Sequence, residues 1–296
     1  MVRTLFIVNP KAGRGAALQA WKRIEKHVAG KPEIEAVIPP SYEATRSAAA
    51  EAARTGIERV VALGGDGTLD AIAGELAHSD TSLGVIPSGT GNDFGKTNGI
   101  SLDPEAALPI ALGTHTRRVD LGLAAKERHF LNVAGAGFDA QVSSVVLQYP
   151  KGLGGTLPYL MGAITTIFRY QAVPVTITVD DQQYEGPITL VAVANGSQYG
   201  GGMRIAPSAR RDDGVFDVCI ADQLSRAELF GLLPRVYTGS HVNHPKIHFL
   251  SGRHVQIQAR GPIHAHADGD LLKSTDLTFE TLVGALNVAV PARVGR

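Results

Sequence analysis

Three stretches of this 296-residue chain combine glycine, aspartate and hydroxyl or basic residues at short spacing: "VNPKAGRG" (8–15), "GGDGTLD" (64–70) and "PSGTGNDFG" (87–95). Each directly follows a short apolar run, so all three read as turns between a strand and a helix at the carboxyl edge of one sheet, where α/β proteins bind ligands. A glycine there lets main-chain N–H groups approach a phosphate without a Cβ in the way, and the start of the next helix adds a favourable dipole. A bare carboxylate beside a phosphate would repel it. Asp66 and Asp93 therefore point to a divalent cation held between carboxylate and phosphates, as hard oxygen ligands suit Mg²⁺. Lys11, Arg14 and Thr90 add charge and a hydroxyl to the same triphosphate. The pattern is neither a G-x-x-x-x-G-K-[ST] loop nor a G-x-G-x-x-G fingerprint. One such junction alone is an ordinary tight turn; three together, two of them with aspartate, point to a metal–nucleotide.

Two later stretches also carry chemistry. In "NGSQYGGGMRIAPSARRDDGVFD" (195–217), Asp212 and Asp213 before Gly214 are either turn residues or ligands of a Mg²⁺ or Ca²⁺ ion. In "HAHADGD" (264–270), Asp268 and Asp270 stand two apart, a spacing that puts both on one face of an extended segment. Paired carboxylates raise each other's pKa, which suits one of them to take a proton from a hydroxyl nucleophile. The competing reading is a hairpin turn at Asp268-Gly269. His264 and His266 lack a third ligand nearby and read as strand residues.

The elements that must position these groups change character near Gly122. Before it, apolar runs at Thr4–Val8, Ile34–Ile38, Arg59–Leu63 and Leu83–Ile86 alternate with helical patterns at Ala16–Val28, Thr45–Arg54 and Thr68–Ala77, as βα units and a parallel sheet require. After it, Val173–Val179, Ile188–Ala194, Val215–Ala221, His254–Gln258 and Leu277–Phe279 read as strands, and Leu157–Tyr170 and Ser225–Tyr237 as helices, the second opened by a capping-type Ser225 and Glu228. The predicted architecture is an α/β nucleotide-binding domain with a parallel sheet over residues 1–122, to which residues 284–296 return, and a mostly antiparallel β-sandwich substrate domain over 123–283. A cleft between domains is where a site is expected.

The 28 basic and 28 acidic residues cancel, which excludes nucleic acid as a bulk electrostatic partner. The single cysteine, Cys219, excludes an internal disulfide and a thiolate metal cluster and suits a reducing, cytoplasmic setting. The longest weakly polar stretch, Leu153–Phe168, is broken by Pro158 and falls short of a membrane span. Its Tyr159, Leu160, Met161 and Ile164 suit either a lipid-facing helix and lip or a helix packed on the second domain's sheet.

In their order and number, the motifs resemble those of the soluble bacterial diacylglycerol kinase-like lipid kinases, whose catalytic domain is shared with sphingosine and ceramide kinases. The resemblance runs nearly end to end, through "NPKAG" (9–13), "GGDGT" (64–68), "GTGNDF" (89–94), "RRVDLG" (117–122), "NVAGAGFDA" (132–140), "NGSQYGGGMRIAP" (195–207), "DDGVFD" (212–217) and "DGD" (268–270). GGDGT by itself also occurs in NAD kinase-like and phosphofructokinase-like folds. The resemblance implies an ATP-dependent kinase with its nucleotide in the interdomain cleft and a lipid hydroxyl as acceptor.

By position, the resemblance implies that Asn9, Pro10, Lys11, Ala12, Gly13, Gly64, Gly65, Asp66, Gly67, Thr68, Leu69, Asp70, Ala71, Thr90, Gly91 and Asn92 contact ATP. It implies further that Asp66, Asp93 and Asp120 surround the nucleotide Mg²⁺, and that Asp213 holds a structural Mg²⁺ with the carbonyls of Arg210 and Val215. The catalytic base is drawn from Asp268 and Asp270, which match a D-G-E in the family. Asp270 is one methylene shorter than that glutamate, which shifts the choice of base towards Asp268. Asp70 replaces the family's usual asparagine, and Ile38, Pro39 and Pro40 stand where a threonine usually meets ATP. An NAD kinase-like phosphotransferase and a weakly active nucleotide- or lipid-binding regulator are the rival readings; the second-half motifs favour the lipid branch. The expected setting is cytoplasmic with peripheral contact at the inner face of a membrane, and the strand edges of the second domain allow a homodimer.

Overall fold

A computed structural model describes residues 2–149 and 157–292. The chain divides into two compact units, one formed by residues 1–121 and 282–296 and the other by residues 122–281.

In the first unit, β1 (Thr4–Val8), β2 (Ile34–Val37), β3 (Arg59–Gly64) and β4 (Ser82–Pro87) alternate with α1 (Ala16–Val28), α2 (Tyr42–Arg54) and α3 (Asp66–Leu76), followed by α4 (Asp93–Thr97) and α5 (Pro104–Ala111). The strands are all parallel: β1 lies between β2 and β3, and β3 pairs β4. Every residue of β1, β3 and β4 is buried, as strands covered on both faces require. In α1 the buried residues Ala17, Ala20, Ile24 and Val28 recur at helical spacing. Ser41 caps α2 by accepting the Ala44 N–H, and Asp103 caps α5 ahead of Pro104. The strand β5 (Thr116–Ala124) leads out of this unit, and the last part of β15 (Thr278–Ala289) returns to pair in parallel with β4 at Asn287 and Val288.

The second unit is antiparallel throughout its pairings. It contains β6 (Arg128–Phe130), β7 (Val133–Gly137), α6 (Phe138–Val146), α7 (Leu157–Arg169), β8 (Val173–Val179), β9 (Gln182–Ala194), β10 (Phe216–Asp222), α8 (Arg226–Thr238), β11 (Ile247–Gly252), β12 (His254–Ala259), β13 (Ala265–Ala267) and β14 (Asp270–Leu271). The long β9 pairs β8 over its first half and β7 and β10 over its second, so one strand serves both layers of the sandwich. Phe130 stacks on Phe216 at 5.6 Å and meets Phe279 edge-on at 6.4 Å within the core. Ser225 and Glu228 form the expected reciprocal capping box at the start of α8.

The predicted α/β and β-sandwich order is the one found. The strands β5, β6, β7 and β11 and the helices α4, α5 and α6 were not expected. The strands β5 and β7 and the helix α6 escape a periodicity reading, since "VAGAG" in β7 has two glycines and one β-branched residue. Of the expected apolar segment Leu153–Phe168, residues 153–156 lie outside the described residues, and the helix is followed from Leu157. Among the described residues, no helix is long and apolar enough to cross a membrane.

Candidate active site

In the first unit the three glycine turns interlock pairwise. Gly13 has φ +55°, and a Cβ there would stand 2.3 Å from the Ser88 carbonyl oxygen. Gly65 and Gly89 pack main chain on main chain, so that a Cβ on Gly89 would stand 2.3 Å from the Gly65 Cα. Side-chain bonds complete the assembly. Asn9 donates from Nδ2 to Thr68 Oγ1 at 2.9 Å while its Oδ1 accepts the Lys11 N–H at 3.0 Å. Asn92, at φ +54°, both accepts the Gly89 N–H at 2.8 Å and donates to the Gly89 carbonyl at 2.9 Å. Asp66 accepts the N–H groups of Asp93 and Phe94 at 3.2 and 3.1 Å.

Of the sequence-predicted ligand-binding residues, Lys11, Gly67 and Thr90 are exposed, Asn9, Pro10, Ala12, Gly13, Gly65, Asp66, Gly91 and Asn92 are half-buried, and Gly64, Thr68, Leu69, Asp70, Ala71 and Asp93 are buried. The α3 N-terminus has Gly65 at its cap with no side-chain cap bond, and the exposed Gly67 lies in its first turn. A Cβ on Gly67 would meet nothing within 4 Å, so the α3 N-terminus is open to the outside there. Lys11 reaches the Pro40 carbonyl at 3.3 Å.

The three carboxylates expected around a metal do different things. Asp66 holds the 93–94 turn, and Asp120, 1 % exposed, accepts the Gly284 N–H at 2.7 Å. Asp93 is buried at the start of α4. In the second unit, Asp213 accepts the Val215 N–H at 3.4 Å in the turn at Gly214 (φ +77°), and burial together with the nearby Asp213 raises the pKa of Asp217. Arg210 pairs with Asp212 at 3.3 Å. Among the described residues, no cluster of three or more His, Cys, Asp or Glu side chains converges on a metal position.

Asp268 and Asp270 lie in a two-residue hairpin, not in an extended segment. Ala267 pairs with Asp270 across the β13–β14 turn, and Asp268 and Gly269 occupy it at φ +46° and +92°, the left-handed pair of a type I′ turn. The spacing argument for a shared face is thereby corrected: the two carboxylates have separate surroundings. Asp268 accepts three consecutive main-chain N–H groups, from Leu131 at 2.6 Å, Asn132 at 3.0 Å and Val133 at 2.8 Å. Asp270 is 65 % exposed and paired with Arg128.

The ring of polar residues behind this hairpin was missed by sequence reasoning. Asn132 accepts from the buried Arg211 guanidinium at 2.7 Å, and Asn195 donates to the Leu131 carbonyl at 2.9 Å. His266, 1 % exposed, meets Asp139 at 2.9 Å, and Tyr199 donates to the same carboxylate at 3.0 Å. Asn132, Asp139 and Tyr199 stand inside quoted motifs, but only the folded chain brings them under Asp268-Gly269-Asp270. Ahead of the hairpin, burial and the charge of Asp270 raise the pKa of the Tyr159 phenol on α7. The same helix exposes Leu160, Met161, Ile164 and Phe168.

Comparison with known proteins gives the same picture over both units. Residues 3–124 match the family model described as the diacylglycerol kinase catalytic domain, and residues 132–290 match that of the YegS C-terminal NAD kinase beta sandwich-like domain. A diacylglycerol kinase of Mycobacterium tuberculosis is 30 % identical over 297 residues, covering 96 % of this chain and 94 % of that protein. A probable YegS-like lipid kinase of Pseudomonas aeruginosa is 33 % identical over 282 residues, covering 89 % and 91 %. The crystal structure of a putative diacylglycerol kinase from Bacillus anthracis superposes with a TM-score of 0.83 at 25 % identity, covering 98 % of this chain and 95 % of that one. With both of its units matched in order and relatives aligned along almost its whole length, the chain belongs to the bacterial diacylglycerol kinase and YegS-like lipid kinases, a family of ATP-dependent phosphotransferases.

Proposed function

We propose that this chain transfers the γ-phosphoryl group of ATP to the hydroxyl of diacylglycerol or a closely related lipid, with Asp270 as the general base. The observation that carries the choice of base is the contrast between the two hairpin carboxylates: Asp268 is engaged by three main-chain donors, whereas Asp270 is exposed beside Arg128. A base must reach the proton it takes, and geometry decides before proton affinity does. Burial and the charge of Asp270 raise the pKa of the Tyr159 phenol on α7, and the same helix exposes Leu160, Met161, Ile164 and Phe168, side chains suited to an acyl chain.

The first unit is assigned the nucleotide. The turns at Gly13, Gly65 and Gly89 pack too closely to admit a Cβ, and beside them the α3 N-terminus with the exposed Gly67, where a Cβ would meet nothing within 4 Å, offers main-chain amides to a triphosphate. Lys11, Asn9, Thr68 and Thr90 then contribute side-chain contacts. Asp66 and Asp93 are assigned to Mg²⁺, which with ATP bound would neutralise charge on the transferring phosphoryl; one or two carboxylates suffice where phosphates and water complete the octahedron. Asp120 is assigned a supporting role, since it accepts the Gly284 N–H of β15. A second, structural Mg²⁺ is assigned to Asp213 with the carbonyls of Arg210 and Val215, where a cation would relieve the like charge felt by Asp217. The second unit is assigned the lipid, taken from a membrane surface.

The test is transfer of radiolabelled γ-phosphate to a total lipid extract, with the product identified by mass. A labelled phosphatidate at wild-type level that disappears in Asp270→Asn supports the assignment. Phosphorylation of NAD in preference to any lipid, or full turnover by Asp270→Asn, overturns it.

A further inference from the structure

His266 is almost completely buried in β13, facing Gly135 of β7 across the pair. Its ring stacks on Tyr199 with centroids 5.8 Å apart and planes 6° from parallel. Its two nitrogens have different partners. The Gly269 N–H points at Nδ1 at 3.2 Å, and Nε2 lies 2.9 Å from Asp139 Oδ2. A main-chain N–H can only donate, so Nδ1 must offer a lone pair, and the ring proton resides on Nε2, directed at the carboxylate. Asp139 is held in turn by the Tyr199 hydroxyl and by the Ala140 N–H at 2.8 Å. The chain of contacts therefore runs from Tyr199 and Ala140 through Asp139 and His266 to the amide at the centre of the Asp268-Gly269-Asp270 turn.

We propose that His266 is a positioning residue for phosphoryl transfer: its unprotonated Nδ1 fixes the hairpin turn that presents Asp270, and protonation of the imidazole releases that turn. The proposal rests on the assignment of Asp270 as the base. A protonated ring would set Nδ1–H against the Gly269 N–H, and a residue 1 % exposed has no room to turn either donor to water. The amide would be left without an acceptor at the turn whose geometry aims Asp270, and a displacement of about 1 Å at a catalytic group can lower turnover roughly 100-fold.

The charges that face the ring set where this happens. Burial opposes the imidazolium, but Asp139 on α6 outweighs it, with Asp268 and Asp270 on the ring's own hairpin adding to the effect, so the His266 pKa is raised above that of an ordinary imidazole. Asp139 itself is held below the usual carboxylate range: burial works against its charge, and His266, Tyr199 and the Ala140 N–H prevail. Tyr199 is pushed well above the usual phenol value by burial and Asp139, and Cys219 beyond it is pushed up to about 12 by burial and the same carboxylate, so both face the network uncharged near neutrality. Arg128 is the counter-charge on the far side of Asp270.

The experiment is the pH dependence of kcat at saturating MgATP and micellar diacylglycerol for wild type and four variants. Wild type should lose turnover on the acid side along a limb that coincides with the His266 titration followed by imidazole ¹⁵N shifts. Asp139→Asn should move that limb to lower pH by about one unit. His266→Asn offers a non-titrating oxygen near the Nδ1 position and should keep turnover while abolishing the limb. His266→Phe keeps the stacked ring without an acceptor and should lose roughly 10- to 100-fold in kcat at every pH, with the KM for ATP unchanged. A limb that stays in place in Asp139→Asn, or ¹⁵N shifts that place the proton on Nδ1, overturns the proposal; if His266→Phe does not fold, the wild-type comparison of limb and titration decides. Asp270→Asn separates the two claims. Full turnover there removes the base assignment, whereas an inactive Asp270→Asn together with a limb that stays in place in Asp139→Asn removes only the role of His266.

Discussion

The carboxylate of Asp66, from the GGDGT stretch, accepts the main-chain N–H groups of Asp93 and Phe94, from the GTGNDF stretch, at 3.2 and 3.1 Å. An aspartate that reads as a metal ligand therefore also shapes the neighbouring glycine turn. Hydrogen bonds to a charged acceptor contribute about 1.5–3 kcal/mol each, and an amide keeps only one accepting oxygen. Asp66→Asn should raise the KM for ATP by at least about tenfold and speed hydrogen exchange at the Asp93 and Phe94 amides. Unchanged exchange at those two positions would show that the loop is held by something else.

Two glycines separate packing from ligand clearance. A Cβ on Gly89 collides with the Gly65 main chain, whereas one on Gly67 meets nothing within 4 Å. Gly89→Ala should cost about 1–3 kcal/mol of stability by forcing the turns apart. Gly67→Ala, in the first turn of α3, should unfold at the same or a slightly higher temperature, since alanine is the better helix former by up to about 1 kcal/mol. If the amides there receive phosphate, Gly67→Ala should nonetheless bind ATP more weakly. Thermal unfolding and calorimetric titration with ATP read the two effects independently, and a Gly67→Ala protein with wild-type affinity would remove this turn from the phosphate cradle.

Asp268 tests the structural half of the hairpin. Its φ of +46° is one that asparagine also adopts readily, so Asp268→Asn isolates the carboxylate from the backbone. Replacing an ionised acceptor of three N–H groups by an amide should lower stability by about 2 kcal/mol, seen as a lower urea midpoint at unchanged slope. Asp270→Asn, at an exposed position, should leave the midpoint close to wild type. Equal midpoints for Asp268→Asn and wild type would mean that the Leu131–Val133 amides find another acceptor.

Most of the fold was legible because its signals are local. The expected bounds of β1, α1 and β8 agree with those found, since an apolar run, a helical repeat and an alternating β-branched segment each report their own element. Beyond those signals, β7 was invisible because its small residues serve close sheet packing rather than β-propensity: a Cβ on Gly135 would stand 2.2 Å from the Val191 carbonyl. At the site, the glycine turns were legible as turns between strand and helix, but the partners of each carboxylate were not. Asp66 and Asp93 are 27 positions apart, and Asp268 lies 135 to 137 from the amides it accepts, so no local pattern records either bond. His266 read as a plain strand residue for the same reason. Its role depends on Asp139, which lies 127 positions earlier.

The apolar face of α7 carries the prediction about membranes. Leu160, Met161, Ile164 and Phe168 recur at helical spacing and all remain exposed, and Phe168 meets Phe230 of α8 edge-on at 5.9 Å. The Arg226 guanidinium lies 5.8 Å from the Phe168 ring centroid and donates to the Phe168 carbonyl at 3.0 Å. Apolar rings flanked by a cation suit the boundary of an anionic bilayer, where the rings enter the acyl edge and the guanidinium meets headgroups. Burying a side chain of this size gives about 1.5–3 kcal/mol, and an interface realises part of it. The double variant Leu160→Ser with Phe168→Ser should therefore reduce partitioning to phosphatidylglycerol vesicles by roughly tenfold or more. Turnover of long-chain diacylglycerol in those vesicles should fall in parallel, and that of a short-chain soluble diacylglycerol much less. Loss of both activities together would point to a damaged fold, and retention of vesicle binding would assign the membrane contact to another surface.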